Sequence, residues 1–167
     1  MKTVLEGLVG GIVGTFAMTV AKEKLFPLLG ETERYPLPPR EITQDVVERT
    51  GDRSPSVAAV TTGTIASHLA FGVAAALLFT GLGLHRRRPV TAGAVYGLGV
   101  WGVSYLGWLP LFGILTPATR HPPRRNALMI AVHLVWGMAT GYAASAIRRS
   151  RRLYGGPGPL PDRRHRG

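Results

Sequence analysis

The chain has no cysteine. Disulfides, thiolate metal sites and cysteine nucleophiles are therefore excluded, and the redox compartment stays undetermined. Acid is also scarce, with nine Asp and Glu against twenty Lys and Arg. Charge of either sign is missing over long stretches. Residues 54–84, 89–119 and 126–147 contain no Asp, Glu, Lys or Arg, and neither does the shorter stretch 7–21. No H-E-x-x-H, Walker glycine loop or G-x-S-x-G elbow is present, so the expectation is a protein that is not an enzyme.

What is there points to a bilayer. A helix rises ~1.5 Å per residue, so about 20 residues cross a hydrocarbon core. Three uncharged stretches meet that length, and the first meets it with Thr3, Val4 and Leu5 added and Glu6 near its end. A cleaved signal peptide is the rival reading of the N-terminal stretch, with Thr19-Val20-Ala21 as the cleavage site; Glu6 and the weakly charged start argue against it. The basic residues flank apolar runs, so anionic lipid headgroups, not nucleic acid, are the expected partner of the +11 net charge. The headgroup candidates are Arg86, Arg87 and Arg88 in one cluster and Arg148, Arg149, Arg151 and Arg152 in another. A homo-oligomer is left open.

The fold class expected is all-α: an integral membrane four-helix bundle with helices at about 3–29, 55–84, 89–109 and 126–147. Residues 1–153 form the transmembrane domain, and 154–167 a disordered basic tail. Ser54 followed by Pro55 reads as the start of the second helix. Residues 41–49 read as a short surface helix in the first loop. Trp101, Tyr105 and Trp108 share a face at the end of the third helix, as an interfacial anchor would. The final arginines are expected to stop the fourth helix. Gly7 with Gly11, and Gly93 with Gly97, give the spacing that lets helix backbones approach. Both termini are expected on the cytoplasmic side, because the arginine clusters there directly abut helix ends.

Two histidines lie deep inside uncharged stretches, in related surroundings. His133-Leu134-Val135-Trp136-Gly137 echoes His68-Leu69-Ala70-Phe71-Gly72, 65 positions earlier. Gly7 and Gly11 match Gly93 and Gly97 at an offset of 86, and Pro38-Pro39-Arg40 matches Pro122-Pro123-Arg124 at 84. These landmarks suggest two tandem two-helix repeats. Thr61, Thr64, His68, Phe71 and Gly72 share one face of the second helix, and His133, Trp136, Gly137 and Gly141 one face of the fourth. His68, His133, Thr64 and Trp136 are the candidate intramembrane site.

Three roles suit such a site. The histidines and threonines fix packing by interhelical hydrogen bonds, in a structural or interaction membrane protein. They line a path for protons or small solutes. Or the two imidazoles hold a b-type haem between facing helices. The first is preferred, and with it no cofactor is expected.

Several pieces taken in order resemble the YagU-like family of small bacterial inner-membrane proteins. They are the glycine-rich first helix leading to Pro36-Leu37-Pro38-Pro39-Arg40, then Leu109-Pro110-Leu111-Phe112-Gly113-Ile114-Leu115-Thr116-Pro117, then His133-Leu134-Val135-Trp136 with its closing arginines. The resemblance implies a multi-pass protein of the bacterial inner membrane. It brings no catalytic residues, and the first loop here is more compact than the longer polar insertion some members carry.

Overall fold

A computed structural model describes residues 2–34, 43 and 56–154. The protein is all-α, with several long apolar helices consistent with a membrane-spanning bundle. Helix α1 spans Lys2–Leu25 and runs into a 3-10 turn, Phe26–Leu28. Helix α2 spans Val57–Gly81, and α3 spans Pro89–Gly102. Helix α4 spans Pro123–Tyr154. Among the described residues, three stretches are long and apolar enough to cross a membrane: Lys2–Leu28, Val57–Gly81 and Pro123–Arg151. Their outward faces carry exposed apolar side chains such as Val4, Ile12, Leu78 and Tyr142, which a bilayer would cover.

The third expected helix differs from a regular span. Its α-helix stops at Gly102, and Val103–Trp108 continue as a π-helix in which Gly107 leaves helical geometry at φ −108°, ψ −107°. One helical turn, Leu109–Leu111, follows. Two residues without a side chain to pack, Gly102 and Gly107, bracket this wider turn, a setting in which a helix tolerates local unwinding. Trp101, Tyr105 and Trp108 accordingly do not form an outward anchor. Tyr105 is 7% exposed and Trp101 stacks on it, their ring centroids 6.2 Å apart.

Two helix ends also differ from expectation. The cap of α2 is Ser56, whose hydroxyl accepts from the Ala59 amide at 3.1 Å; Ser54 and Pro55 lie outside the described residues. Helix α4 does not stop at the arginines but continues through them to Tyr154. Arginine is a good helix former, and here its side chains find carbonyl partners beyond α4. Arg148 donates to the Arg86 carbonyl at 2.9 Å and Arg151 to that of Lys2 at 3.3 Å. The expected surface helix and the basic tail fall outside the described residues, except Thr43, which is helical and buried, and Tyr154, which ends α4 instead of opening the tail.

The helices pack in the order α2, α1, α4, α3, and α2 scarcely touches α3. Glycine makes the close contacts. A Cβ on Gly7 or Gly11 would strike Leu77, Thr80 or the α2 backbone at Val73. On the other side of the same helix, one on Gly10 or Gly14 would strike α4 at Thr140 or Trp136. Gly93 and Gly137 each face the other's carbonyl, Gly97 faces that of His133, and Gly141 that of Pro89. So α1 and α4 form the inner pair, with α2 and α3 seated outside them.

Candidate functional site

The bundle has two ends. At one end lie the start of α1, the turn between α2 and α3, and the arginines of α4. At this turn end Glu6 and His85 meet, 79 positions apart in sequence, with Glu6 Oε2 2.9 Å from His85 Nε2. Glu6 is 6% exposed and His85 1%. Burial holds the His85 imidazole below its ordinary value near 6.5; the Glu6 carboxyl pulls upward, and Arg148 and Arg86 push down again. The neutral ring then donates from Nε2 to Glu6, which leaves Nδ1 buried with no partner among the described residues. Phe79, packed beside the His85 ring with centroids 6.2 Å apart, closes this end together with Tyr96. The Tyr96 hydroxyl donates to the Ala75 carbonyl at 2.8 Å and ties α3 to α2 there.

At the other end, the loop end, α2 faces the Val103–Trp108 turn across a gap. Phe71 and Trp108 reach across the gap, with ring centroids 6.3 Å apart. Here a cavity of about 910 Å3 is walled by all four helices and opens to the outside past the exposed Phe16 and Ile65. Both candidate histidines line it, as do Thr64 and Trp136. The two imidazoles, the threonine and the indole therefore belong to one place. His68 lies 11 residues into α2 and His133 10 residues into α4, so at ~1.5 Å per residue both stand roughly 15 Å along their helices. Lys22 and Glu23, paired at 2.6 Å, are also part of the wall, at the loop end of α1.

The hydrogen bonds in the cavity wall differ from the interhelical set expected. His133 Nδ1 lies 2.7 Å from the Met129 carbonyl of its own helix. Thr64 and Thr19 donate to the carbonyls of Val60 and Thr15, four residues back on their own helices. His68 is half-buried and makes no hydrogen bond among the described residues. The Thr15 hydroxyl is buried without a partner among them, beside Gly72, where any Cβ would strike it. These groups face the cavity, and they do not stitch helix to helix.

The remaining site residues separate by position. Gly7, Gly11, Gly93, Gly97, Gly137 and Gly141 are buried at helix crossings. Arg86, Arg87 and Arg88 are exposed at the turn; Arg148 is half-buried, Arg149 and Arg151 are exposed, and Arg152 lies on the same helix. Sequence reasoning missed the Glu6–His85 pair. Its one signal was a lone acid inside the first apolar stretch, at the depth of a histidine in the tight turn. No group of three or more His, Asp or Glu side chains that could hold a metal ion occurs among the described residues. No protein-family model, no curated protein and no solved structure matches this chain.

Proposed function

We propose that this is a bacterial inner-membrane protein that holds a small apolar or lipid-like molecule within the bilayer. The observation that carries the reading is the cavity of about 910 Å3 walled by all four helices, with both imidazoles in its wall. Its size and its lining, mostly apolar with a few polar groups, are those of a small-molecule site. Both termini are read as cytoplasmic, from the arginine clusters abutting the turn end. The YagU-like resemblance agrees with this placement and remains part of the proposal. Anionic headgroups are taken as the partners of the exposed arginines.

A tandem two-helix repeat is part of the same reading. Gly11 packs on α2 at Gly72 and Val73, and Gly97 packs on α4 at Gly137 and the His133 carbonyl. Of these, the Gly11–Gly72 and Gly97–Gly137 contacts match under the offsets of 86 and 65, which relate α1 to α3 and α2 to α4, whereas Val73 and His133 do not correspond.

The two alternative roles of the histidines fare differently. A through-going path for protons or solutes has against it the turn end, where Ala76, Phe79 and Thr80 are fully buried. A b-type haem has in its favour that both imidazoles line one cavity; an added-haemin absorption spectrum with a bis-imidazole Soret band would favour it over the lipid-like occupant.

Native mass spectrometry of the full chain from mild detergent tests the binding reading. The wild type should carry a one-to-one small-molecule or lipid adduct, and Thr64→Phe, which puts an aromatic ring into the cavity from its wall, should carry less of it. Equal adducts on both proteins would sink the reading.

A further inference from the structure

The hydrogen-bonding character of the cavity wall selects a kind of occupant. A backbone carbonyl only accepts, so the His133–Met129 bond puts the ring proton on Nδ1. In the neutral imidazole, Nε2 is then a bare lone pair. His133 is buried and lines the cavity, so the protein fixes which nitrogen is free to meet an occupant. The hydroxyls of Thr19 and Thr64 spend their protons in the same way, on carbonyls of their own helices at 2.9 Å and 2.7 Å. What these three wall groups have left is acceptor capacity. The buried Thr15 hydroxyl, unpartnered among the described residues, adds a further unmet polar group in the same wall.

The wall also carries donors, in Lys22, His68 and the indoles of Trp108 and Trp136, so the group that complements it both donates and accepts, as a hydroxyl does. A carboxylate or phosphate head only accepts, so it would meet the donors but leave His133 Nε2, Thr19 and Thr64 unmatched. A cationic head would have Lys22 in the wall against it, with the lysine's own carboxylate partner, Glu23, already engaged. An uncharged hydroxyl attached to an apolar body satisfies both the acceptors and the apolar lining. We infer that the cavity binds an uncharged lipid alcohol, its hydroxyl donating to His133 Nε2. This rests on the proposed binding function and names the chemical class of its occupant.

Quenching of tryptophan fluorescence tests it, because Trp136 and Trp108 line the cavity and Trp136 is 3% exposed. The full chain in phosphatidylcholine nanodiscs is titrated with a brominated long-chain alcohol, its methyl ether and the matching brominated fatty acid. The alcohol should quench saturably at a concentration on the order of tenfold below the ether, the size of one buried hydrogen bond. His133→Leu should erase the difference between alcohol and ether, and His133→Gln, which keeps an acceptor, should restore part of it. The wild-type comparison needs no variant to fold. Equal quenching by alcohol and ether, or tighter quenching by the fatty acid, overturns the assignment of the occupant and leaves a binding cavity. Saturable quenching by none of the three overturns both.

Discussion

The turn end and the loop end of this bundle are built from the same four helices and pack in opposite ways. At the turn end glycines meet backbones: Gly7 and Gly11 on α2, Gly93 on Gly137, Gly141 on Pro89. Small residues allow close approach, and dispersion and interhelical polar contacts hold such helices together in lipid. At the loop end large side chains occupy the equivalent levels. Met18, Tyr105 and Met129 are buried there and border the cavity, which reaches as far as Trp136 beside Gly137. Rigid aromatic rings and long thioethers prop helices apart where glycine would let them close. The difference teaches that one end of the bundle serves cohesion and the other serves vacancy. The two buried histidine environments follow suit. His85 is tied to a carboxyl from another helix, whereas His133 is tied to its own helix and keeps a nitrogen for the cavity.

Breaking the cohesive end should have the largest effect. Gly137→Val puts branched carbon against the Gly93 carbonyl and should cost at least ~3 kcal/mol, beyond ordinary overpacking, because backbone must move. Gly99→Ala, on the facing helix α3 but with nothing near its Cβ position, should change stability by less than ~1 kcal/mol. Thermal unfolding in detergent reads both, and similar losses would contradict the zipped end.

Next in size is the Glu6–His85 pair. Glu6→Ala strands the buried His85 Nε2 and should cost about 1–3 kcal/mol. The pair also sets a pH dependence whose sign is fixed by burial. His85 is held below its ordinary value near 6.5 in the folded protein, so the unfolded chain binds the proton more readily. Stability from this group is fully present above that value and is lost as pH falls through the lower folded one. Unfolding midpoints should therefore decline as pH drops below about 6.5, and His85→Gln should flatten that decline. An unchanged slope in the variant would remove His85 from the account.

The smallest effect should come from the vacant end. Thr64→Phe extends into open space instead of displacing backbone, so its stability should stay within ~1 kcal/mol of wild type while the adduct weakens. A loss as large as that of Gly137→Val would mean that the loop end is packed as tightly as the turn end.

The helices and the glycine crossings were legible in the chain because both write themselves locally. Uncharged length marks a span, and a four-residue glycine spacing marks a face. The same face arithmetic placed His68, Thr64, His133 and Trp136 on inward faces, and the structure gathers them around one cavity. What periodicity could not show is which faces meet. Glu6 and His85 come together only because α1 crosses α2 near its start. The orientation of His133 toward Met129 is a rotamer choice with no sequence mark. The π-turn at Val103–Trp108 hides in a run that reads as uniform helix, and Tyr105 turns inward with it. The fate of α4 at its arginines depended on carbonyls at Arg86 and Lys2 being within reach.

The contrast between the two ends can be measured within one helix. Thr64 and Thr80 both lie on α2, and each donates to the carbonyl four residues back. Thr64 lines the cavity, whereas Thr80 is 0% exposed in the zipped end. The native chain has no cysteine to interfere, so Thr64→Cys and Thr80→Cys can be alkylated singly by a small thiol reagent in nanodiscs. Thiol reactivity follows access to the reagent, and the Thr64→Cys protein should react at least ~tenfold faster, with the lipid alcohol slowing that reaction alone. Equal rates at the two positions would contradict a bundle closed at one end and hollow at the other.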